Sequence, residues 1–238
     1  MYRLYHEFAH RYDLHTPPDP SKQDHRFVID QALRVAPAGC RLLDVGCGTG
    51  VFLEKAVAAG IDAHGIDAAP EMVDIARQRL SGERVRVQRM QEISGGETYH
   101  VVCALSWTIH YCETVAELDE VVRRCRDVLL PGGVLILQVA DDEQMTGAVN
   151  VDREPSSKGE PDDTFFIHRI RPLRDPEHRV QADYVYASQE HAELLAEQHE
   201  LKFAHPTLIG DAMRRAGFDE VRTTSLVPVT PFVIGLKS

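Results

Sequence analysis

Glycines and carboxylates with the spacing of a nucleoside site stand near the start of the chain. Residues 44–50 read DVGCGTG, after the apolar run RLLDV and before the helical pattern VFLEKAVAAG. Glycines let a strand-to-helix turn fold tightly and approach a ligand closely. Asp67 ends the next apolar run, IDAHGID. In an open α/β sheet both positions fall at the carboxyl ends of strands, where an acid can accept from both ribose hydroxyls.

The spacing of this turn narrows the choice of ligand. Nicotinamide, flavin and S-adenosylmethionine proteins all use glycine-rich turns of this kind. The pattern here is G-x-G-x-G, not the G-x-G-x-x-G that lays a pyrophosphate on a helix N-terminus. Asp44, two residues before the first glycine, would repel a pyrophosphate but suits an amino group. The residues therefore favour a ligand-binding turn over a turn that only packs, and they favour a cofactor that has no pyrophosphate.

Strand and helix patterns alternate around the turn. Strands are expected at 41–46, 61–67, 84–90, 100–106 and 134–140. Helices are expected after the first strand, after Pro70, over 118–129 and over 208–216. Alternating strands and helices imply crossover units and a parallel sheet. The last two runs, VRTTSLVPV and TPFVIGLK, could pair antiparallel at the sheet edge, since their prolines lack N–H donors.

Composition excludes several classes of protein. The 238 residues carry 26 Lys and Arg against 37 Asp and Glu, a net charge of −11, which opposes general binding to nucleic acid. No apolar run reaches the roughly 18–20 residues that span a bilayer, and the polar N-terminus lacks a signal-peptide pattern. Five cysteines without a CxxC pair fit reduced thiols. We expect a cytoplasmic protein with no membrane or nucleic-acid partner.

Changes of rhythm divide the chain into four segments. Residues 1–26 are polar, and residues 27–140 hold the alternating strands and helices. Residues 141–204 begin acidic and rich in Gly, Pro and Ser, and continue as alternating runs such as FFIHRIRPL and HRVQADYVYAS. Residues 205–238 return to a helix and two strands. The third segment is therefore expected to be an insertion into the α/β core.

Four motifs together resemble the S-adenosylmethionine-dependent methyltransferases of the Rossmann-like class. They are LLDVGCGTG, HGIDAAPEMVDIAR, the pair Gln91-Glu92 and LLPGGVLIL. The match covers about residues 27–140. It implies a three-layer α/β fold with a seven-stranded sheet in the order 3-2-1-4-5-7-6, the last strand antiparallel. It also implies S-adenosyl-L-methionine as cofactor, S-adenosyl-L-homocysteine as product, and no metal.

The resemblance assigns a cofactor contact to each matching residue. The implied contacts are Asp44, Gly46, Cys47 and Gly48 for the methionine part, Asp67 for the ribose, Ala68, Met72, Met90, Gln91 and Glu92 for the adenine, and Leu105 and Ser106 for the sulfonium side.

A narrower resemblance concerns the methyl acceptor. The N-terminal FAHRYD, the segment after the fifth strand and YVYASQEHAELLAEQHELKF resemble sugar N-methyltransferases that act on nucleotide-linked amino sugars in antibiotic biosynthesis. That group implies an N-terminal lid helix carrying Tyr12 and a small antiparallel sheet, inserted after strand 5, over the substrate. Its usual Arg and Gly before the last strand are replaced here by PVTPF, and Arg169, Arg171 or Arg174 could take the place of that Arg.

The implied chemistry is in-line transfer of a methyl group to an amine or hydroxyl of a small molecule, with amino-sugar-like N-methylation favoured. Alignment alone can supply about 7–11 kcal/mol. An amine must be neutral to attack, and an apolar site lowers its pKa. A hydroxyl needs a base, for which His110 is the first candidate. Tyr111 and Tyr12 are expected to shape the pocket, and His168 and His199 have equal chances of facing the substrate.

The sequence is also compatible with other functions. The chain could bind S-adenosylmethionine as a non-catalytic regulator, or could be a nicotinamide-dependent oxidoreductase, although no catalytic Tyr-Lys pair is visible. Residues 6–10, HEFAH, fit the zinc pattern H-E-x-x-H. No clear third ligand follows, and the segment also suits the lid helix, with Tyr5, Phe8 and Tyr12 near one stripe. A homodimer is a further open option.

Overall fold

The computed structural model describes residues 2–15, 22–80, 83–96, 98–145, 152–155, 164–188 and 192–238. The helices are α1 (Tyr12–His15), α2 (Gln23–Val35), α3 (Val51–Ala58), α4 (Pro70–Arg79), α5 (Val115–Asp127) and α6 (Pro206–Arg215). The strands are β1 (Arg41–Val45), β2 (Asp62–Asp67), β3 (Val85–Val87), β4 (Tyr99–Ala104), β5 (Leu129–Gln138), β6 (Asp152–Pro155), β7 (Thr164–Pro172), β8 (Val180–Ser188), β9 (Glu193–Leu201), β10 (Glu220–Thr224) and β11 (Phe232–Leu236). Short 3-10 turns cover Arg3–Tyr5, Ala9–Arg11, Met90–Glu92 and Thr108–Tyr111.

Seven strands form the core sheet, in the order β10-β11-β5-β4-β1-β2-β3. The strands β1 to β5 run parallel, and β11 is antiparallel to both β5 and β10. Because β10 and β11 are the sixth and seventh strands of this sheet, the order 3-2-1-4-5-7-6 predicted from the sequence is confirmed. The parallel strands are covered on both faces, which explains why β1 is apolar almost throughout.

Helices cover both faces of the core sheet. Leu42 of β1 joins a buried cluster with residues of α2, α3 and α4. The next residue, Leu43, joins a second cluster with residues of α5 and α6. Successive strand residues point to opposite faces, so the two clusters are the two sides of a three-layer core. At Gly65 in β2, a Cβ would lie 2.5 Å from Leu53 Cδ1 and 2.8 Å from Cys47 Sγ, so only glycine lets α3 and the turn before it pack this closely.

A second sheet, the inserted sheet, contains β6, β7, β8 and β9 in that order, all antiparallel. It follows β5 in the chain, as predicted. Residues 146–151, 156–163 and 189–191 of the expected insertion lie outside the described residues. The N-terminal segment, residues 2–15, packs on this sheet: Leu4 and Phe8 share a buried cluster with Phe166, Tyr186 and Leu195.

The prediction of one lid helix carrying Tyr5, Phe8 and Tyr12 is wrong. Two 3-10 turns precede α1, which is a single turn, so His6 and His10 do not share a helical face. His6 Nδ1 lies 2.7 Å from Glu71 Oε2, and His10 Nε2 lies 3.2 Å from Glu193 Oε1. Within the described ranges, no group of three or more His, Cys, Asp or Glu side chains is arranged to hold a metal ion. The H-E-x-x-H spacing therefore carries no zinc geometry here.

None of the helices in the described part of the chain combines the length and the apolar character needed to cross a membrane.

Candidate functional site

A cavity of about 370 Å³ opens at the carboxyl ends of the parallel strands. Its size falls within the roughly 300–1,000 Å³ usual for small-molecule sites. Residues that the sequence assigned to cofactor binding make up much of its lining: Asp44, Gly46, Cys47, Gly48, Asp67, Ala68, Met72, Met90, Gln91, Leu105 and Ser106. Parallel strands end at one edge of the sheet, which is why residues from four separate stretches of sequence meet here.

The glycine turn is shaped by backbone that other residues rarely adopt. Gly46 and Gly48 have φ of +74° and +54°. A Cβ on Gly46 would lie 2.5 Å from Thr108 Cγ2, whereas a Cβ on Gly48 would meet no atom within 4 Å. The N–H groups of Gly46 and Cys47 both donate to the Ile66 carbonyl, at 2.8 and 3.0 Å. The turn is therefore fixed to the end of β2 while its side at Gly48 stays open.

Asp67 joins the glycine turn to the start of α4. Its Oδ2 accepts from Gly48 N–H and its Oδ1 from Ala69 N–H, both at 2.9 Å. Burial raises the pKa of Asp67, and these backbone hydrogen bonds oppose the shift. An ionised carboxylate offers about four acceptor positions, so acceptor capacity remains for donors such as ribose hydroxyls.

Asp44 is a buried carboxylate beside the turn, only 2% exposed. The Cys103 thiol donates to its Oδ1 at 3.6 Å. Burial raises the pKa of Asp44 to about 7, and the charge of Asp67 adds to the shift. Among the residues that the structure describes, no Lys, Arg or His forms a salt bridge with Asp44. A buried carboxylate without a cation is stabilised by a positively charged ligand, so this position fits an ammonium or sulfonium group.

The turn after β4 has unusual backbone at the edge of the cavity. Ser106 and Trp107 have φ of +48° and +65°, and each such non-glycine residue costs about 1–3 kcal/mol. Ser106 N–H donates to Gln138 Oε1 at 2.8 Å, and Trp107 Nε1 donates to Thr230 Oγ1 at 3.3 Å. These bonds hold the turn in place, and such strain clusters at functional sites.

Of the three residues predicted to contact the adenine from the 3-10 turn after β3, two line the cavity. Met90 and Gln91 line the cavity, and Gln91 Nε2 donates to Glu117 Oε1 at 2.6 Å. Glu92 lies outside the lining; its Oε2 accepts from Arg89 N–H at 3.3 Å. Glu92 acts here as a turn residue, and the geometry gives it no adenine contact.

His110 does not reach the cavity. Its side chain is fully buried, and Ala140 N–H donates to its Nε2 at 2.8 Å. The ring proton must therefore lie on Nδ1, which donates to the Lys202 carbonyl at 2.8 Å. Burial lowers the pKa of His110 to about 4. With both nitrogens engaged, His110 joins the core sheet to the end of β9, and the geometry does not support it as a base.

Four tyrosines form a further part of the cavity lining. We call them the tyrosine cluster: Tyr2, Tyr5, Tyr12 and Tyr111. Tyr5 and Tyr111 are joined through their hydroxyls at 2.7 Å, and the Tyr5 and Tyr12 rings are 5.8 Å apart. Tyr12 and Tyr111 thus lie where the sequence placed them. Tyr2 was missed, because nothing in its local sequence shows that residues 2–15 fold back over the sheet edge.

Asp13 fastens the N-terminal segment to the glycine turn. Thr49 Oγ1 donates to Asp13 Oδ1 at 2.7 Å, and Arg79 Nη2 donates to Asp13 Oδ2 at 2.5 Å. Arg79 Nε also donates to the Thr49 carbonyl at 3.0 Å. No local sequence pattern indicates this contact, because its three members come from separate elements.

The central segment of the chain matches a known protein family. Residues 43–135 match the family model described as a methyltransferase domain. This segment, less than half of the chain, is therefore similar to a methyltransferase domain. The resemblance on which the sequence prediction rested is confirmed.

Two curated relatives are methyltransferases with different acceptors in their names. The ubiquinone biosynthesis O-methyltransferase of Xanthomonas axonopodis pv. citri (strain 306) is 37% identical over 111 residues, 44% of this chain and 44% of that protein. The dTDP-3-amino-3,6-dideoxy-alpha-D-glucopyranose N,N-dimethyltransferase of Streptomyces fradiae is 30% identical over 135 residues, 56% of this chain and 52% of that protein. The matches thus span about half the length of these relatives.

A solved structure shows the same fold over nearly the whole chain. CalS10, an amino pentose methyltransferase of Micromonospora echinaspora described with S-adenosylmethionine bound, superposes with a TM-score of 0.77. The alignment covers 95% of this chain and 96% of that one, at 24% sequence identity. The Rossmann-like fold with a β insertion is therefore shared over nearly the whole chain.

Proposed function

We propose that this protein is an S-adenosylmethionine-dependent methyltransferase acting on an amine or hydroxyl of a small molecule. The observation that supports this most is the convergence of the glycine turn, Asp44 and Asp67 on one cavity of a methyltransferase domain. When bound, the cofactor supplies an electrophilic methyl group on a sulfonium. The site fits this group, because a buried carboxylate without a cationic partner stands where a cation would be stabilised.

The residues of the chain divide the work of holding the cofactor. Asp44 would bind the cationic end beside the open face of Gly48, and Asp67 would accept from the ribose hydroxyls. Met72 and Met90 would contact the adenine. Each role follows from the chemistry of the side chain and its place in the cavity lining.

For the acceptor we favour an amine on a sugar-like molecule. The Streptomyces fradiae relative is named for such an acceptor, and CalS10, described as an amino pentose methyltransferase, shares the fold over 95% of this chain. An amine needs only to lose its proton, and desolvation in the cavity lowers its pKa. The Xanthomonas relative, named as an O-methyltransferase, supports the second candidate, a hydroxyl acceptor.

The predicted division of the chain fits this function. In our proposal residues 27–140 and 205–238 carry the transfer site, while residues 1–26 and 141–204 cover the acceptor. All five cysteines are free and buried, which supports a reducing compartment such as the cytoplasm. The charge of −11 supports a small-molecule acceptor over nucleic acid. The homodimer stays a prediction, for sedimentation velocity to test.

Two measurements test the proposed function. Calorimetry of the whole chain with S-adenosylhomocysteine should show one site, and NADH titrated in parallel should show none. Methyl transfer is then followed with labelled S-adenosylmethionine against a dTDP-amino sugar and a phenolic acceptor. If S-adenosylhomocysteine does not bind, the proposal fails. Tight binding of S-adenosylhomocysteine without methyl transfer to any amine or hydroxyl compound of a test panel would favour the non-catalytic regulator.

A further inference from the structure

A row of hydrogen-bonded side chains leads from the cavity into the inserted sheet. Tyr5 and Tyr111, which line the cavity, are 2.7 Å apart at their hydroxyls. The Tyr111 hydroxyl lies 2.8 Å from His199 Nδ1, and His199 Nε2 lies 3.1 Å from Glu197 Oε2. Glu197 and His199 are two residues apart on β9, so they share one face of the strand.

Backbone amides fix the charge state at the far end of this row. Arg3 N–H donates to Glu197 Oε1 at 2.7 Å and Leu4 N–H donates to Glu197 Oε2 at 2.9 Å. Burial opposes ionisation of Glu197, but these hydrogen bonds and that of His199 lower its pKa below the usual value. Glu197 is therefore an acceptor only, and the proton of His199 must lie on Nε2.

The direction of every other hydrogen bond in the row follows. With its proton on Nε2, His199 presents a bare Nδ1, so the Tyr111 hydroxyl donates to it. The oxygen of Tyr111 can then accept from the Tyr5 hydroxyl. All donors point from the cavity towards Glu197. At the cavity end of the row, the Tyr5 oxygen can still accept a hydrogen bond from a group that carries a proton.

His199 is well placed to be the end of a proton path. Its side chain is fully buried. The titratable groups around it are Tyr2, Tyr5, Tyr111, Tyr184 and Glu197, and the ring of Tyr2 stacks on it with centroids 3.7 Å apart. Burial lowers the pKa of His199, and Glu197 opposes that shift. A lowered pKa favours the neutral ring at pH 7, and the carboxylate of Glu197 can stabilise the cation.

We propose that His199, supported by Glu197, takes up the proton of the acceptor ammonium through Tyr111 and Tyr5. The proposal rests on the proposed function and adds to it two residues on β9 and a class of acceptor, an amine that arrives protonated. His110, the histidine nearer to the end of β4, is excluded from this role by its backbone bonds to Lys202 and Ala140.

The proton transfer balances without any further reactant. The ammonium proton moves to the Tyr5 oxygen as the Tyr5 proton moves to Tyr111 and the Tyr111 proton moves to His199 Nδ1. Both tyrosines end neutral, and His199 becomes an imidazolium paired with Glu197. The nitrogen keeps its lone pair for attack, and His199 returns its proton to solvent after the product leaves.

The deciding variant is His199→Gln, which keeps hydrogen-bonding groups but cannot be protonated. With dTDP-3-amino-3,6-dideoxy-glucose as acceptor, we expect kcat at pH 7 to fall about 100-fold, the lower end of what a general base contributes. The loss should shrink to less than about fivefold at pH 9.5, because solution then supplies neutral amine. Acceptor KM and S-adenosylhomocysteine affinity should stay within about threefold. Glu197→Gln should give a smaller loss with the same pH trend.

Glu200→Gln is the matched control for Glu197→Gln. It makes the same substitution on the same strand, at a side chain that pairs with Arg179 outside the cavity. A loss in His199→Gln that is equal at all pH values, or no loss, would overturn the relay. So would a ¹⁵N NMR spectrum of the free protein with the His199 proton on Nδ1. That spectrum needs no acceptor, so the relay is tested even if this sugar is not methylated. Failure of the wild-type chain to bind S-adenosylhomocysteine would instead defeat the proposed function.

Discussion

The two sides of the cavity are built in different ways. The glycine-turn side comes from short stretches next to strand ends, and much of its geometry is backbone: Asp67 holds the N–H groups of Gly48 and Ala69. The part of the cavity lined by the tyrosine cluster, the tyrosine side, is built from side chains far apart in sequence. Tyr5 and Tyr111 contact each other there, and Tyr111 contacts His199 of the inserted sheet. The first arrangement suits a ligand common to a whole fold. The second can change with the acceptor, because each contact depends on one side chain.

The largest expected effect is on the glycine-turn side. Asp67→Ala removes the acceptors for the ribose hydroxyls. Hydrogen bonds to a charged group contribute about 1.5–3 kcal/mol each, so two of them predict at least a 100-fold rise in the Kd of S-adenosylhomocysteine. Calorimetry measures it. Asp74→Ala, also on an aspartate near the cavity but exposed on α4 and paired with Arg77, should leave Kd unchanged.

The same titration sharpens the contrast with the tyrosine side. Tyr111→Phe should leave the Kd of S-adenosylhomocysteine within about threefold, because the tyrosine side is assigned to the acceptor. Comparable losses in Asp67→Ala and Tyr111→Phe would show that the two sides do not divide the ligands in this way.

A glycine substitution tests how firmly the turn is defined. Gly46→Ala places a Cβ 2.5 Å from Thr108 Cγ2 at φ +74°, so strain and steric overlap should lower the free energy of unfolding by about 3 kcal/mol or more. Gly39→Ala is matched in backbone, with φ +70°, but its Cβ meets no atom within 4 Å. It should lower the free energy of unfolding by only about 1 kcal/mol. Equal free energies of unfolding for Gly46→Ala and Gly39→Ala in urea would show that contact with Thr108 does not restrict the turn.

These differences explain which features the sequence predicted. The alternation of strands and helices and the lining by Asp44, Gly48 and Asp67 follow from patterns within a few residues, so they are predictable, whereas the strand order is implied only by the family resemblance. His110 was chosen because it follows β4, but sequence spacing cannot show that its ring would be enclosed by the backbone of Ala140 and Lys202. For His168 and His199 the sequence leaves either face of the strand equally probable. Alternation shows which residues share a face, but it does not show which face is turned to the site.

The pH dependence of cofactor binding should be moderate and specific to Asp44. Burial raises its pKa to about 7, so at pH 6 most of the free protein carries a neutral Asp44. A cationic ligand favours the carboxylate, and binding must then release a proton. Affinity for S-adenosylmethionine should therefore rise with pH through 7 and level off above it, by roughly tenfold between pH 6 and 8. Asp44→Asn should bind more weakly, and its affinity should not follow this curve.

The smallest effect is expected where the two sides are joined. Asp13 links α1 to Thr49 and Arg79, and both charged side chains are partly buried, at 29% and 20% exposure. Asp13→Asn weakens the bond to Arg79 and keeps an oxygen for Thr49, so it should lower the free energy of unfolding by about 1 kcal/mol or less.

Hydrogen exchange of residues 2–15 is a sharper measurement for this variant, because the ion pair fixes only that segment to the glycine turn. Asp13→Asn should speed exchange there and leave the amides of β1 and β4 unchanged. Asp74→Asn, which breaks an exposed pair on α4, should change neither set. If exchange rose across the core as well, the N-terminal segment would be part of the cooperative unit that holds the cofactor, and the two sides of the cavity would not be separable.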